Sequence, residues 1–135
     1  MIQVAPATKT ILFIEDNAQH RQQWGEGLKQ LSPHYVLLEA VDGKSGLDVC
    51  RRTKVDCVIL DLDLPDISGF EVLFTLNLNR LHPTTAVVVL THFGSPVLHR
   101  MTKENGAQEC LVKGRITVDI LDQAVKRAMR IVGTA

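Results

Sequence analysis

The stretch "VILDLDLPDISGFEVL", residues 58–73, sets three aspartates and a proline directly behind an aliphatic run. Val55 to Leu60 ("VDCVIL") is short, apolar and rich in β-branched side chains, the pattern of a strand covered on both faces. Such a strand gains nothing by ending in negative charge, because carboxylates beside an apolar layer are costly unless something pairs with them. Two things must therefore be found elsewhere in the chain: the sheet this strand joins, and whatever balances the charge at its end.

Four other stretches share the pattern. Thr10 to Glu15 ("TILFIE"), Tyr35 to Ala40 ("YVLLEA"), Thr85 to Thr91 ("TAVVVLT") and Gln108 to Val112 ("QECLV") all read as strands. Between them the apolar residues fall at helical spacing: Trp24, Leu28 and Leu31; Leu47 and Cys50; Phe70, Leu73 and Phe74; Leu98 and Met101. Leu121, Ala124, Val125, Ala128 and Val132 then form a stripe on a final helix. Ser68 with Glu71 reads as a capping box, and Ser95-Pro96 as an N-cap before a first-turn proline. The order is (βα)5. Near-continuous apolar strands alternating with helices predict an α/β fold, a five-stranded parallel sheet with helices on both faces. Right-handed crossovers leave few arrangements, and the flavodoxin-like strand order 2-1-3-4-5 is the expectation.

Composition agrees with one globular domain. The chain has 135 residues, 45% hydrophobic and 22% charged, with a formal net charge of zero. A balanced charge gives no footprint for direct nucleic-acid binding, and no apolar run is long enough to insert in a membrane. Cys50, Cys57 and Cys110 show no metal or redox spacing and read as buried thiols in a reducing, cytoplasmic setting. Trp24 reads as core. The five histidines, His20, His34, His82, His92 and His99, show no ligand spacing and read as structural or solvent-exposed. Gly43 and Gly46 do not make a phosphate loop.

Ligands of open α/β sheets bind outside the carboxyl ends of the strands, near the point where strand order reverses. Here those ends carry Glu15-Asp16, Asp61, Thr91 and Lys113. Like charges about 4 Å apart at an effective dielectric near 20 repel by roughly 4 kcal/mol per pair, so converging carboxylates call for a cation. Mg²⁺ suits them, since it takes one or two carboxylates and keeps positions open for phosphate oxygens. Asp61, faced by the Lys113 ammonium and the Thr91 hydroxyl, is then a reasonable nucleophile toward a phosphoryl group.

In that order and spacing, Glu15-Asp16, Asp61 within "DLDLPDISG", Thr91 and Lys113 resemble the receiver domain of two-component response regulators. The resemblance covers about residues 9–133 and leaves 1–8 as a tail. It implies that Asp61 accepts a phosphoryl group from a histidine kinase or histidine phosphotransfer protein. It also implies that Asp16, Asp61 and the Asp63 backbone carbonyl bind Mg²⁺, that Glu15 helps through water, and that Thr91 and Lys113 contact phosphoryl oxygens. On this resemblance a downstream protein partner, or a homodimer, would use the surface from about Ser95 to Val132.

Three positions depart from the family pattern. Gly114 follows Lys113 where proline is usual, and a cis bond there would cost about 2.5–4 kcal/mol, so a trans peptide is expected. Cys110 stands where an aromatic switch residue is common. His92, followed by Phe93, replaces a small residue; the larger side chains are expected to screen the phosphoryl group from water. Asp63 would act in the opposite sense by positioning water. Two rival readings remain: a receiver-like interaction module that has lost phospho-switching, and a haloacid-dehalogenase-type phosphohydrolase, which "DLDLP" also resembles. In the latter family the motif follows the first strand of the core, whereas here it follows the third.

Overall fold

The computed structural model describes residues 6–78 and 85–134. His82 and the first five residues of the expected tail lie outside them. Chain order is Lys9–Ile14 (β1), Ala18–Leu31 (α1), Tyr35–Ala40 (β2), Gly43–Arg52 (α2), Cys57–Asp61 (β3), Gly69–Leu78 (α3), Ala86–Thr91 (β4), Pro96–Glu104 (α4), Glu109–Val112 (β5) and Val118–Val132 (α5). The strands pair in parallel in the order β2-β1-β3-β4-β5, as expected.

Burial follows from position in the sheet. All residues of β3 and β4 are buried, so their sequences have no room for polar alternation, whereas the edge strand β2 exposes Val36 and Glu39. One core layer joins Ile11, Phe13 and Ile59 to Leu28 of α1 and to Leu121, Ala124, Val125 and Ala128 of α5. The other joins Leu12, Ile14, Val58 and Leu60 to Leu47 of α2 and Val72 and Leu73 of α3. Trp24 packs half-buried against the first layer. Phe74 and Met101, read from spacing as apolar-face residues, are instead 52% and 44% exposed.

Four strands shift at their limits by a residue or two. Glu15 lies beyond β1: its N–H still bonds the Ala40 carbonyl at 3.0 Å, but the chain then turns into α1, which Asn17 caps by accepting from the His20 N–H. At the opposite edge β3 starts at Cys57 rather than Val55. There the Asp56 carboxylate takes the Thr10 N–H and the Thr134 hydroxyl, each at 2.8 Å, and ties the end of the chain to the sheet. β4 and β5 each begin one residue late.

Helix starts carry real caps. Ser95 accepts from the Leu98 N–H ahead of α4, with Pro96 in its first turn. Ser68 accepts from the Glu71 N–H at 3.1 Å. A full capping box that the sequence reading missed opens α2, where Asp42 and Ser45 bond each other's backbone N–H. Asp66, third aspartate of the opening stretch, also serves α2: its two oxygens accept the Gly43 and Lys44 N–H groups at 2.9 Å each. Those N–H groups outweigh desolvation and hold its carboxyl down at about 2.

Gly43 and Gly46 have their explanation here. A Cβ at Gly43 would overlap the Ile67 side chain, and one at Gly46 would overlap the side chain of Ile14, which is fully buried in β1. The two glycines let α2 sit close against the sheet and the β3–α3 loop. Gly46→Ala should therefore cost about 1–3 kcal/mol by overpacking, and adding Ile14→Val, which removes the nearest methyl, should restore part of it. Urea unfolding of the single and double variants checks this; equal stability of both singles and wild type would contradict the packing.

Candidate functional site

Sheet register brings the strand ends together. Ile14 pairs with Leu60 across β1 and β3, so the residues that follow, Glu15 and Asp61, lie side by side. Thr91 pairs with Val112 across β4 and β5, which places Lys113 next to Thr91's strand end. Carboxylate oxygens of Glu15, Asp16 and Asp61 all lie within 4.8 Å of one another. Glu15 is 1% exposed, Asp61 4% and Lys113 8%, while Asp16 stands open to solvent.

Lys113 is the cation that the opening stretch requires. Its Nζ donates to Glu15 Oε1 at 3.0 Å, Glu15 Oε2 at 3.1 Å and Asp61 Oδ2 at 3.2 Å. The other Asp61 oxygen, Oδ1, accepts the Asp63 N–H at 3.1 Å. Thr91 Oγ1 accepts the Phe93 N–H at 3.1 Å. The three clustered carboxylates offer only hard oxygen donors, one side of the cluster is open at Asp16, and the donors are close enough to share one small ion. This donor set fits Mg²⁺ rather than a thiolate-seeking metal.

His20 belongs to the site although spacing gave no sign of it. It sits in the first turn of α1, and its Nδ1 lies 3.0 Å from Glu15 Oε1. The His20 ring also packs on His92, with centroids 5.9 Å apart. Beside it Arg21 Nη1 donates to the Glu15 carbonyl at 2.7 Å. The only signal that could have found His20 was its place one helical turn behind a strand-end glutamate.

The remaining candidate residues divide. Asp63 sends its N–H to the site while its side chain is exposed. Phe93 is 64% exposed on the loop leading to α4. Cys110 is buried in the layer under α2 and α3, away from the carboxylates, and burial pushes its thiol up. Gly114 is in a short 3-10 turn over Lys113–Arg115, with no cis peptide among the described residues. Nothing lies within 4 Å of a Cβ built on it.

Burial, then the adjacent Asp61 carboxylate, raises Glu15 to about 8 in spite of Lys113. Burial acts on Asp61 in the same sense, but its bonds with Glu15, the Asp63 N–H and Lys113 prevail and keep it below the usual carboxylate range. Of the two carboxylates, Asp61 therefore gives up its proton the more readily. Because its folded-state value is raised, Glu15 contributes stability that is complete below about 4.5 and is lost as pH climbs through about 8. Thermal unfolding in metal-free buffer should show wild type losing ground to Glu15→Gln across that interval; parallel profiles would mean that Lys113 keeps Glu15 ionised throughout.

Comparison with known proteins agrees with the geometry. Residues 11–126 match the family model described as the response regulator receiver domain. The chain is 36% identical over 104 residues to the transcriptional regulatory protein HprR of Escherichia coli, covering 76% of this chain and 44% of that protein. It is 29% identical over 125 residues to a gliding motility regulatory protein of Myxococcus xanthus, covering 91% of this chain and 16% of that protein. It thus spans less than half the length of either relative. A solved response regulator receiver domain protein from Clostridium thermocellum superposes with a TM-score of 0.80 at 26% identity, covering 91% of this chain and 95% of that one. The family match over most of its length shows that this chain belongs to the response regulator receiver domains, the phosphoacceptor signalling domains of two-component systems.

Proposed function

We propose that Asp61 is the phosphoacceptor, taking a phosphoryl group from a phosphohistidine of a histidine kinase or histidine phosphotransfer protein. The observation that supports it best is the Lys113 ammonium held between Glu15 and Asp61 at the converged strand ends. An Asp61 oxygen attacks phosphorus, the P–N bond breaks as the P–O bond forms, and the imidazole leaves with its electron pair. Lys113 then exchanges its Asp61 contact for a phosphoryl oxygen, and the Thr91 hydroxyl donates to another. Asp16, Asp61 and the Asp63 carbonyl would hold Mg²⁺, with Glu15 acting through water. When bound, that ion neutralises charge on the transferring oxygens.

The domain proper is residues 9–133, and its setting is cytoplasmic, in keeping with three free, buried cysteines. Output runs through the surface from about Ser95 to Val132, to a downstream protein or a second copy of the chain. Exposed Val97 (57%), Met101 (44%) and Ile120 (40%) support an apolar contact there. Phosphoester turnover is not part of this reading, because Asp61 closes the third strand and Glu15 would have no role in a dehalogenase-type hydrolase.

Intact-mass spectrometry after incubation with acetyl phosphate tests the acceptor. A single phosphoryl gain that requires both Mg²⁺ and Asp61 is expected, and Asp61→Asn should show none. A folded, Mg²⁺-binding protein that gains no phosphoryl, even from a cognate phosphodonor, would favour an interaction module that no longer switches.

His92 and Phe93 shield the aspartyl phosphate from water, with the His20 ring packed against His92 supporting the cover. His92→Ala and Phe93→Ala should accordingly dephosphorylate faster than wild type. Identical decay of the phosphorylated species would remove that role.

A further inference from the structure

The loops that carry Thr91 and Lys113 meet through one side chain. A Cβ built on Gly94 would lie 2.6 Å from both Nη atoms of Arg115 and 2.7 Å from its Cζ. The guanidinium therefore lies over Gly94 mainly by its flat face. Gly94 does not have a positive φ, so its backbone does not call for glycine; what a side chain there would meet is the flexible end of Arg115. Arg115 is exposed and makes no ion pair among the described residues. Its contact with the loop is thus not a by-product of pairing with a carboxylate.

This contact is in series with the acceptor site. Thr91 Oγ1 accepts the Phe93 N–H at 3.1 Å, and the next residue is the glycine under Arg115. Turning the Thr91 hydroxyl toward a group on Asp61 must either break that bond or carry residues 92–94 along. Carrying them shifts Gly94 relative to the Arg115 guanidinium that lies over it, so the contact cannot be kept as it stands.

We propose that Arg115 is a positioning residue that clasps Gly94, holds the β4–α4 loop in its unphosphorylated place, and so opposes the movement of Thr91 toward a phosphoryl group. The proposal rests on the roles assigned above to Asp61 and Thr91. A contact made in one of two states biases the equilibrium toward that state, and its removal raises affinity for whatever binds the other. The sign is therefore counterintuitive for an arginine near an anion site: deleting the positive charge should strengthen anion binding.

Beryllofluoride, a tetrahedral stand-in for a phosphoryl group on a carboxylate, gives the readout in the presence of Mg²⁺, followed by fluorine NMR. Arg115→Ala should bind it about two- to tenfold more tightly than wild type, within the range for one side chain that biases a two-state element. Gly94→Ala should do the same, because the new methyl meets only the far end of a flexible side chain and pushes it off while its charge remains. The double variant should bind no more tightly than either single, since both remove one interaction. Weaker binding by Arg115→Ala would mean that the guanidinium touches the anion itself, and would overturn the clasp. Additive gains, or lowered thermal stability with unchanged affinity, would also overturn it. Wild type that binds no beryllofluoride would bring down the acceptor reading and the clasp together, whereas tight binding by wild type with indifferent variants brings down the clasp alone.

Discussion

The Lys113 ammonium between Glu15 and Asp61 is the contact around which this molecule is arranged. Two carboxylates less than 5% exposed cannot both stay ionised side by side without a positive partner. Lys113, itself 8% exposed, would in turn be costly to bury without them. Buried ion clusters of this kind add little net stability, because desolvation consumes most of the Coulombic gain. On the function proposed above, the cluster provides a charge balance poised to change: a divalent cation or a phosphoryl group entering there would alter the partners of all three groups at once. A parallel sheet suits this purpose because its strands all end on one edge.

Close packing beneath the site keeps that edge in register. Gly46 lets α2 lie against Ile14, the residue just before Glu15, and Asp66 fastens the start of α2 to the loop that leaves Asp61. The three aspartates of the opening stretch thus have three different partners. Asp61 answers to Lys113, Asp66 to the first turn of α2, and Asp63 contributes a backbone N–H to Asp61 while its carboxylate faces water.

The β4–α4 loop joins the site to α4. Thr91 is bonded to Phe93, Gly94 lies beneath Arg115, and α4 starts at Pro96. Cys110 lies in the core layer that holds Leu12, Val58 and Val89, beside Thr102 of α4, and burial raises its thiol. The position where an aromatic residue is common in the family therefore offers no ring to rotate. A planar group is still present between the two loops, supplied by Arg115 from the other side of Lys113.

The sequence by itself determined the fold class, the strand order and the identity of the residues at the strand ends. Strands buried on both faces must be apolar without interruption, so β3 and β4 announced themselves, and polar residues closing them could only be functional or capping. Tertiary structure alone decided that Asp66 caps α2, because the first turn of that helix and the β3–α3 loop come together through residues more than twenty positions apart. It also decided that His20 reaches Glu15, that Gly46 is demanded by Ile14, and that Gly94 lies beneath Arg115. Those facts are absent from any local pattern: a glycine required by a distant side chain looks in sequence like any loop or helix glycine, and a histidine aimed at a carboxylate looks like one aimed at water.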